Sequence, residues 1–300
     1  MEDKYEYLKT ITFDMIKNKI PKRKPESHKG DFGKLLCVCG SKGMPGAACF
    51  CVKSALRCGV GLVRAAIPES IYSSVSSRIS ECTYVVCKDD ENGNIDKESA
   101  EIILESAKEC SAVAIGCGMG WNENTKFIVN KLIEFCDKPM VIDADGINVI
   151  SENIDVLKKA KNKIILTPHV KEAERLLKVS CDEINQCKHK YAQKLADDYG
   201  VVAVLKGYKT VAADKEEKAF LNLTGNPGMA KGGSGDVLTG MIGSFLAQGM
   251  RPIDAALCAV YIHGKSGDIC KEKYSAVSML PSDIIEQLGN VFLSFENGVN

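Results

Sequence analysis

Apolar runs of strand length recur along the chain, at 34–39, 62–67, 83–87, 112–117, 140–143, 164–166 and 201–205, with longer helix-like segments between them. Such alternation predicts an α/β fold with a central, mostly parallel sheet. Strands covered by helices on both faces should be apolar throughout rather than alternating, and Leu35-Leu-Cys-Val-Cys39 and Val201-Val-Ala-Val-Leu205 are. Segments 209–213 and 219–223, separated by the polar Asp214-Lys-Glu-Glu-Lys218, read instead as a hairpin appended to that sheet. Further on, Val237/Leu238, Met241/Ile242 and Phe245/Leu246 repeat at the spacing of a one-sided helix.

In open α/β sheets ligands bind beyond the carboxyl ends of the strands, so the residues that follow each run carry the chemistry. Five of these loops hold glycines or polar groups: Gly40-Ser-Lys-Gly-Met-Pro-Gly46, Gly116-Cys-Gly-Met-Gly120, Asp143-Ala-Asp-Gly146, Thr167-Pro-His169 and Lys206-Gly-Tyr-Lys-Thr210. Together they predict a cleft for a large polar ligand. The stretch Asn226-Pro-Gly-Met-Ala-Lys-Gly-Gly-Ser-Gly-Asp-Val-Leu-Thr-Gly-Met-Ile-Gly243 joins a glycine-rich turn to the start of a helix. Free amides of Gly233, Ser234 and Gly235 and the positive end of the helix dipole make an anion hole there. Asp236 stands beside it as the candidate general base, an arrangement suited to phosphoryl transfer.

Composition narrows the field. Three hundred residues with 45% hydrophobic content and no formal net charge suit a globular chain, read as a single domain over 1–300 with an N-terminal helix and basic lead-in over 1–30. Balanced charge removes the case for nucleic acid, and the one basic cluster, 17–29, is broken by Pro21, Pro25 and Glu26. No apolar stretch is long enough for a membrane span and the first residues lack the order of a signal peptide, so a cytoplasmic location is expected. Of the 14 cysteines, Cys37, Cys39, Cys49, Cys51, Cys87, Cys117 and Cys258 lie inside apolar runs and read as core. No Cys-x-x-Cys occurs, and Cys187-Lys-His189 lacks a second half for a zinc site. His263, between apolar neighbours, reads as a packing histidine. Familiar motifs fail: Ala259 stands where a Walker loop needs its first glycine, Trp121 where a dinucleotide fingerprint needs its last, and Gly232-Gly-Ser-Gly-Asp236 is no nucleophile elbow.

Six motifs in order are similar to those of the NAD(P)H-hydrate dehydratases, a family of the ribokinase-like superfamily. They are Ser27-His-Lys-Gly30 leading to Gly40-Ser-Lys-Gly-Met-Pro-Gly-Ala-Ala48, then Ala114-Ile-Gly-Cys-Gly-Met-Gly120, Val141-Ile-Asp-Ala-Asp145, Leu166-Thr-Pro-His169, Val204-Leu-Lys-Gly207 and 226–242. The resemblance covers nearly the whole chain and implies a three-layer α/β/α fold. It implies ADP- or ATP-dependent return of hydrated NADH and NADPH to the parent cofactors, with ADP favoured and Mg2+ on the nucleotide phosphates. Ala47, Gly118, His169 and Asp236 fall where the family holds the hydrated dinucleotide, and Lys206, Gly207, Tyr208, Lys209, Thr210 and Gly235 where it holds the adenine nucleotide. The metal ligands stay unassigned. Cys117 departs from the family's usual proline, and Val170-Lys171 from its Pro-Gly, while Glu172 keeps its expected place. A homo-oligomer, commonly a tetramer, is implied, as is a functional link to a separate NAD(P)H-hydrate epimerase, for which there is no room before Asp31. The alternative on the same fold is a small-molecule kinase similar to the hydroxyethylthiazole kinases, and a nucleotide sensor without turnover is a third reading.

Overall fold

The computed structural model describes residues 8–298, so residues 1–7 of the N-terminal lead-in lie outside the described part. Its strands are β1 (Lys9–Thr10), β2 (Lys34–Val38), β3 (Leu62–Pro68), β4 (Thr83–Cys87), β5 (Ala112–Ile115), β6 (Met140–Ile142), β7 (Ile164–Leu166), β8 (Val202–Leu205), β9 (Val211–Asp214) and β10 (Lys218–Leu221). They form one sheet in the order β1-β10-β9-β8-β7-β6-β5-β2-β3-β4. Neighbours from β8 through β4 pair in parallel, and β9 runs antiparallel to both β8 and β10, which is the appended hairpin.

Every expected strand forms, with ends displaced by a residue or two. Cys117 was expected to finish its strand, but β5 stops at Ile115 because Gly116 turns the chain at φ 117°, a conformation open to glycine alone at little cost. Cys39 and Asp143 likewise leave the ladder and begin the loops that matter below.

Alternate residues of the buried strands face two separate apolar clusters. Leu35, Cys37, Val63, Ala65 and Ile67 point to one side, where the helices Pro45–Arg57, Ser234–Ala247, Pro252–Ser278 and Pro281–Asn297 pack. Leu36, Val38, Ala66 and Val113 point to the other, against Ala100–Lys108, Glu123–Phe135, Val170–Leu177 and Lys188–Tyr199. The chain is thus three layered, helices on both faces of a mostly parallel sheet. The seven cysteines expected in the core are buried there with free thiols. Among the described residues no helix is long and apolar enough to cross a membrane.

The Ser234 helix lies closest to the sheet centre, and Gly240 lets it touch the Pro45 helix. A Cβ at that position would run into the Cys51 carbonyl oxygen and the Ser54 hydroxyl. Replacing Gly240 with Ala should therefore lower stability by about 3 kcal/mol, read as a fall of several degrees in Tm. An unchanged Tm would mean the two helices can separate without cost.

Strand order reverses between β2 and β5: the chain winds outward from β2 through β4, then returns to continue from β5 in the opposite direction. A crevice opens at such a switch point, beyond the carboxyl ends of the two strands, and the glycine loops after β2 and β5 flank it.

Candidate active site

At the switch point the two glycine loops are tied together: the Gly40 amide donates to the Cys117 carbonyl at 2.8 Å. Gly116 packs so tightly on the Asp143 carbonyl that no side chain fits, and Gly118, at φ 65°, would place a Cβ 2.6 Å from that of Ala47. Two residues expected to hold the dinucleotide, Ala47 and Gly118, therefore stand side by side. Close backbone packing of this kind requires glycine and leaves bare peptide facing the crevice.

Beyond β6 the chain passes through Ala144 at φ 48°, ψ −117°, a strained conformation for a residue with a side chain. Asp143, just before it, is buried, and both of its oxygens are claimed: Lys206 Nζ donates to Oδ1 at 2.6 Å and Thr239 Oγ1 to Oδ2 at 2.6 Å. Lys206 at the end of β8 was expected at the cleft rim among the nucleotide contacts, and its ammonium turns inward to this carboxylate. Burial pulls the Lys206 ammonium down, but the charges of Asp143 and Glu172 more than offset it and hold the lysine above its ordinary value. Asp143 was not expected to be more than a loop residue. A carboxylate ending the apolar triplet Met140–Ile142 on a central strand was the signal that could have found it.

Asp236 sits in the first turn of the Ser234 helix, with Gly233 in the left-handed conformation at φ 102° as its N-cap. Burial, then the charge of Asp143, lifts the Asp236 carboxyl to about 7, against the pull of the nearby Cys117 thiol and of Lys206. A carboxylate with a pKa near neutrality is matched to proton abstraction. Gly235 stands over the ion pair: a Cβ there would lie 3.3 Å from Lys206 Nζ and 3.5 Å from Asp143 Oδ2. Gly233, Ser234 and Gly235 form the turn as expected, although the Ser234 amide donates to Lys231 O at 3.2 Å and would have to share that hydrogen with an anion. His263 is buried beside this turn, as expected of a packing histidine. Its Nε2 is buried without a hydrogen-bond partner among the described residues, and burial drives the ring down to about 4, which keeps it neutral.

His169 lies at the same end of the sheet, bridging to Lys206 in parallel register. As N-cap of the Val170 helix, its backbone donates to Glu172 Oε2 at 2.8 Å and its Nδ1 accepts from the Glu172 amide at 3.2 Å. That capping box fixes the ring, half exposed toward the crevice. Burial and the Lys206 charge lower the His169 pKa, so the ring is neutral, and burial pushes Glu172 up to about 7. Three acids, Asp143, Glu172 and Asp236, thus surround one lysine.

The loop after β8 is closed by Thr210, whose hydroxyl bonds both the carbonyl of Gly207 at 3.0 Å and its amide at 3.3 Å. Lys188, buried on the neighbouring helix, donates to Tyr208 O at 2.7 Å from beneath. Tyr208 itself projects into solvent, 87% exposed, as an open aromatic face for a flat ring. Two other hollows, one along Leu8, His189 and Gln193 and one along Lys17, Arg57 and Phe292, are lined by none of these residues. Among the described residues no group of three or more His, Cys, Asp or Glu is arranged to hold a metal ion.

A family model described as NAD(P)H-hydrate dehydratase matches residues 35–290. The ADP-dependent (S)-NAD(P)H-hydrate dehydratase of Bacillus subtilis is 33% identical over 95% of this chain and 98% of its own length. The bifunctional NAD(P)H-hydrate repair enzyme of Moorella thermoacetica is 33% identical over 96% of the chain but only 54% of its own length. The chain spans about half the length of the bifunctional relatives it matches. A crystal structure of the Bacillus subtilis ADP/ATP-dependent NAD(P)H-hydrate dehydratase, co-crystallised with ATP and Mg2+, superposes with a TM-score of 0.83 at 30% identity, covering 97% of this chain and 99% of that one.

Proposed function

The chain belongs to the NAD(P)H-hydrate dehydratase family, and from that premise we propose that it converts (6S)-hydrated NADH and NADPH back to NADH and NADPH with an adenine nucleotide as phosphoryl donor. Its single strongest support is Asp236, a carboxyl raised to about 7 in the first turn of a helix whose glycine amides open to the same crevice as Ala47, Gly118 and His169.

The hydrated ring carries a hydroxyl on C6, a poor leaving group. In this reading Asp236 takes the hydroxyl proton as the oxygen attacks the terminal phosphorus of the nucleotide, and the bond from that phosphorus to the bridging oxygen breaks. The amides of Gly233 and Gly235, and that of Ser234 once drawn from Lys231 O, hold the charge that spreads over the phosphoryl oxygens. Phosphate then leaves from C6, driven out by the lone pair of the ring nitrogen, and loss of a proton from C5 restores the double bond. With ADP, the donor we favour, the products are the reduced cofactor, AMP and phosphate. Tyr208 and the closed turn Gly207 to Thr210 would receive the adenine nucleotide, with Lys206 and Gly235 at its phosphate end. Magnesium supplies charge neutralisation on the nucleotide's own phosphates. Among the described residues no group of carboxylates is arranged to hold the ion itself, and Asp143 is engaged by Lys206 and Thr239.

Hydrated NADH and NADPH as substrate and 14 free cysteines fit a cytoplasmic setting. The reading also includes a homo-oligomer and a separate epimerase that feeds it the S form.

Because a base must be ionised to act, kcat/KM should rise with pH through an acid limb near 7 and level off above it. An acid limb near 4 would mean that burial does not raise the Asp236 carboxyl in the working enzyme. The reaction itself is tested by mixing the purified chain with hydrated NADH and ADP. Return of the near-ultraviolet absorbance of NADH together with AMP and phosphate is expected, whereas a stable phosphorylated alcohol would reveal a small-molecule kinase, and no nucleotide consumption a sensor.

A further inference from the structure

Lys188 sits where a lysine is costly. It opens the helix Lys188–Tyr199, which places a cation near the positive end of the helix dipole, and it is only 4% exposed. Burial pulls its ammonium down, and no carboxylate among the described residues offsets that pull. A buried cation without a counter-charge weakens a fold rather than holding it together. Groups placed at such a cost collect at functional sites.

The ammonium donates to the Tyr208 carbonyl at 2.7 Å, in the turn after β8. On either flank that turn is tied to its neighbours, the Lys206 amide to Pro168 O at 2.9 Å and the Asn222 amide to Thr210 O at 2.8 Å. Between the flanks Lys209 takes the left-handed conformation at φ 57°, and Tyr208 stands in solvent. Gly207, at φ 137°, gives the ammonium its room, because a Cβ there would come within 2.9 Å of Lys188 Nζ. A trans peptide points its N–H opposite to its C=O. Drawing the Tyr208 carbonyl inward therefore turns the Lys209 amide outward, away from the Lys188 helix.

We propose that Lys188 is a positioning residue for the adenine nucleotide: its ammonium draws the Tyr208 carbonyl inward and so holds the outer face of the Gly207 to Thr210 turn in the shape the nucleotide meets. The inference rests on the reading of 206–210 as the nucleotide turn. Thr210 clips that turn across Gly207 from within, and Lys188 fastens its tip from below.

The test is calorimetric titration of the full chain with ADP, without hydrated NADH, alongside hydrogen exchange of the peptide spanning 206–210. In Lys188→Met the Kd for ADP should rise about tenfold or more, the scale for losing one hydrogen bond from a charged donor, and exchange in that peptide should quicken. Tm should stay level or rise, because the buried charge leaves together with its bond. During turnover the KM for ADP should rise likewise, with kcat at saturating ADP and the KM for hydrated NADH within about twofold of the wild type. Lys188→Arg, which restores both charge and donor, should recover most of the affinity. Lys188→Leu carries the measurements if the methionine variant does not fold. A merely structural role would lower Tm and leave the Kd where it was. An unmoved Kd in a folded Met or Leu variant, in a chain that binds ADP, overturns the inference and leaves the proposed function standing. A raised Kd with exchange unmoved makes Lys188 a direct contact and overturns it as well. A raised Kd with faster exchange, in a chain that does not turn over hydrated NADH, upholds it and counts against the proposed function alone. Failure of the wild type to bind ADP overturns both.

Discussion

Replacing Asp236 with Asn is expected to lower turnover about 100-fold or more, leave nucleotide affinity close to that of the wild type, and raise the melting temperature in mildly alkaline buffer. The loss of turnover follows from removing the group that accepts the hydroxyl proton. The gain in stability follows from the same burial that makes Asp236 a base. Its carboxyl titrates at about 7 in the folded chain, whereas an unfolded aspartate titrates near its ordinary value. A raised folded pKa means that stability from this group is fully present below the unfolded value of roughly 4 and is lost as pH rises toward the folded value near 7. Above that point the ionised carboxylate costs on the order of 2–4 kcal/mol, which a neutral amide avoids. The advantage of Asp236→Asn should therefore be several degrees in Tm at about pH 8 and close to nothing at about pH 4. Calorimetry across that range checks it, and a variant less stable than wild type at alkaline pH would deny that the site is strained by its own base.

Lys206→Met should act in the opposite sense on stability. Asp143 is 1% exposed, and the ammonium of Lys206 at 2.6 Å is its counter-charge. Removing one partner of a buried pair leaves an uncompensated charge, so stability should fall by about 3 kcal/mol. Asp236 and Glu172 lose the same cation, which would move the acid limb of kcat/KM upward by about a pH unit and lower kcat/KM at neutral pH about tenfold or more. If Lys206 did no more than touch the nucleotide, the KM for ADP would rise while Tm and the acid limb stayed put. Equilibrium unfolding and a pH profile on the one variant separate these cases.

How far residues alone reveal such a site depends on the range of the interactions. Strands showed themselves because burial on both faces demands apolar runs, and Leu35 to Cys39 or Val202 to Leu205 satisfy that demand locally. The loops were legible for a related reason: glycine or a charged residue directly after an apolar run has no place inside the sheet, so Gly40, Gly116 and Lys206 announced the rim. Asp236 was legible from its glycines. What lay hidden were partnerships that exist only once strands are ordered. Asp143 and Lys206 are 63 residues apart and meet because β6 and β8 both flank β7. His263 is brought near the Ser234 turn because the Pro252 helix packs against the Ser234 helix. Cys117 read as core, and it is buried, yet it lies close enough to Asp236, the proposed base, for the two to influence each other electrostatically. In each case the residue type was visible and the partner was not, since no local pattern encodes which loops a crossover brings together.

The central claim is that the C6 hydroxyl oxygen becomes bonded to phosphorus before it leaves. Hydrated NADH prepared in 18O-enriched water carries the label on that hydroxyl, and mass analysis of the phosphate released during turnover with ADP reads its fate. One 18O atom per phosphate is the result this account predicts. Phosphate without label, with the 18O recovered in water, would show that dehydration and nucleotide cleavage are separate events and would contradict it.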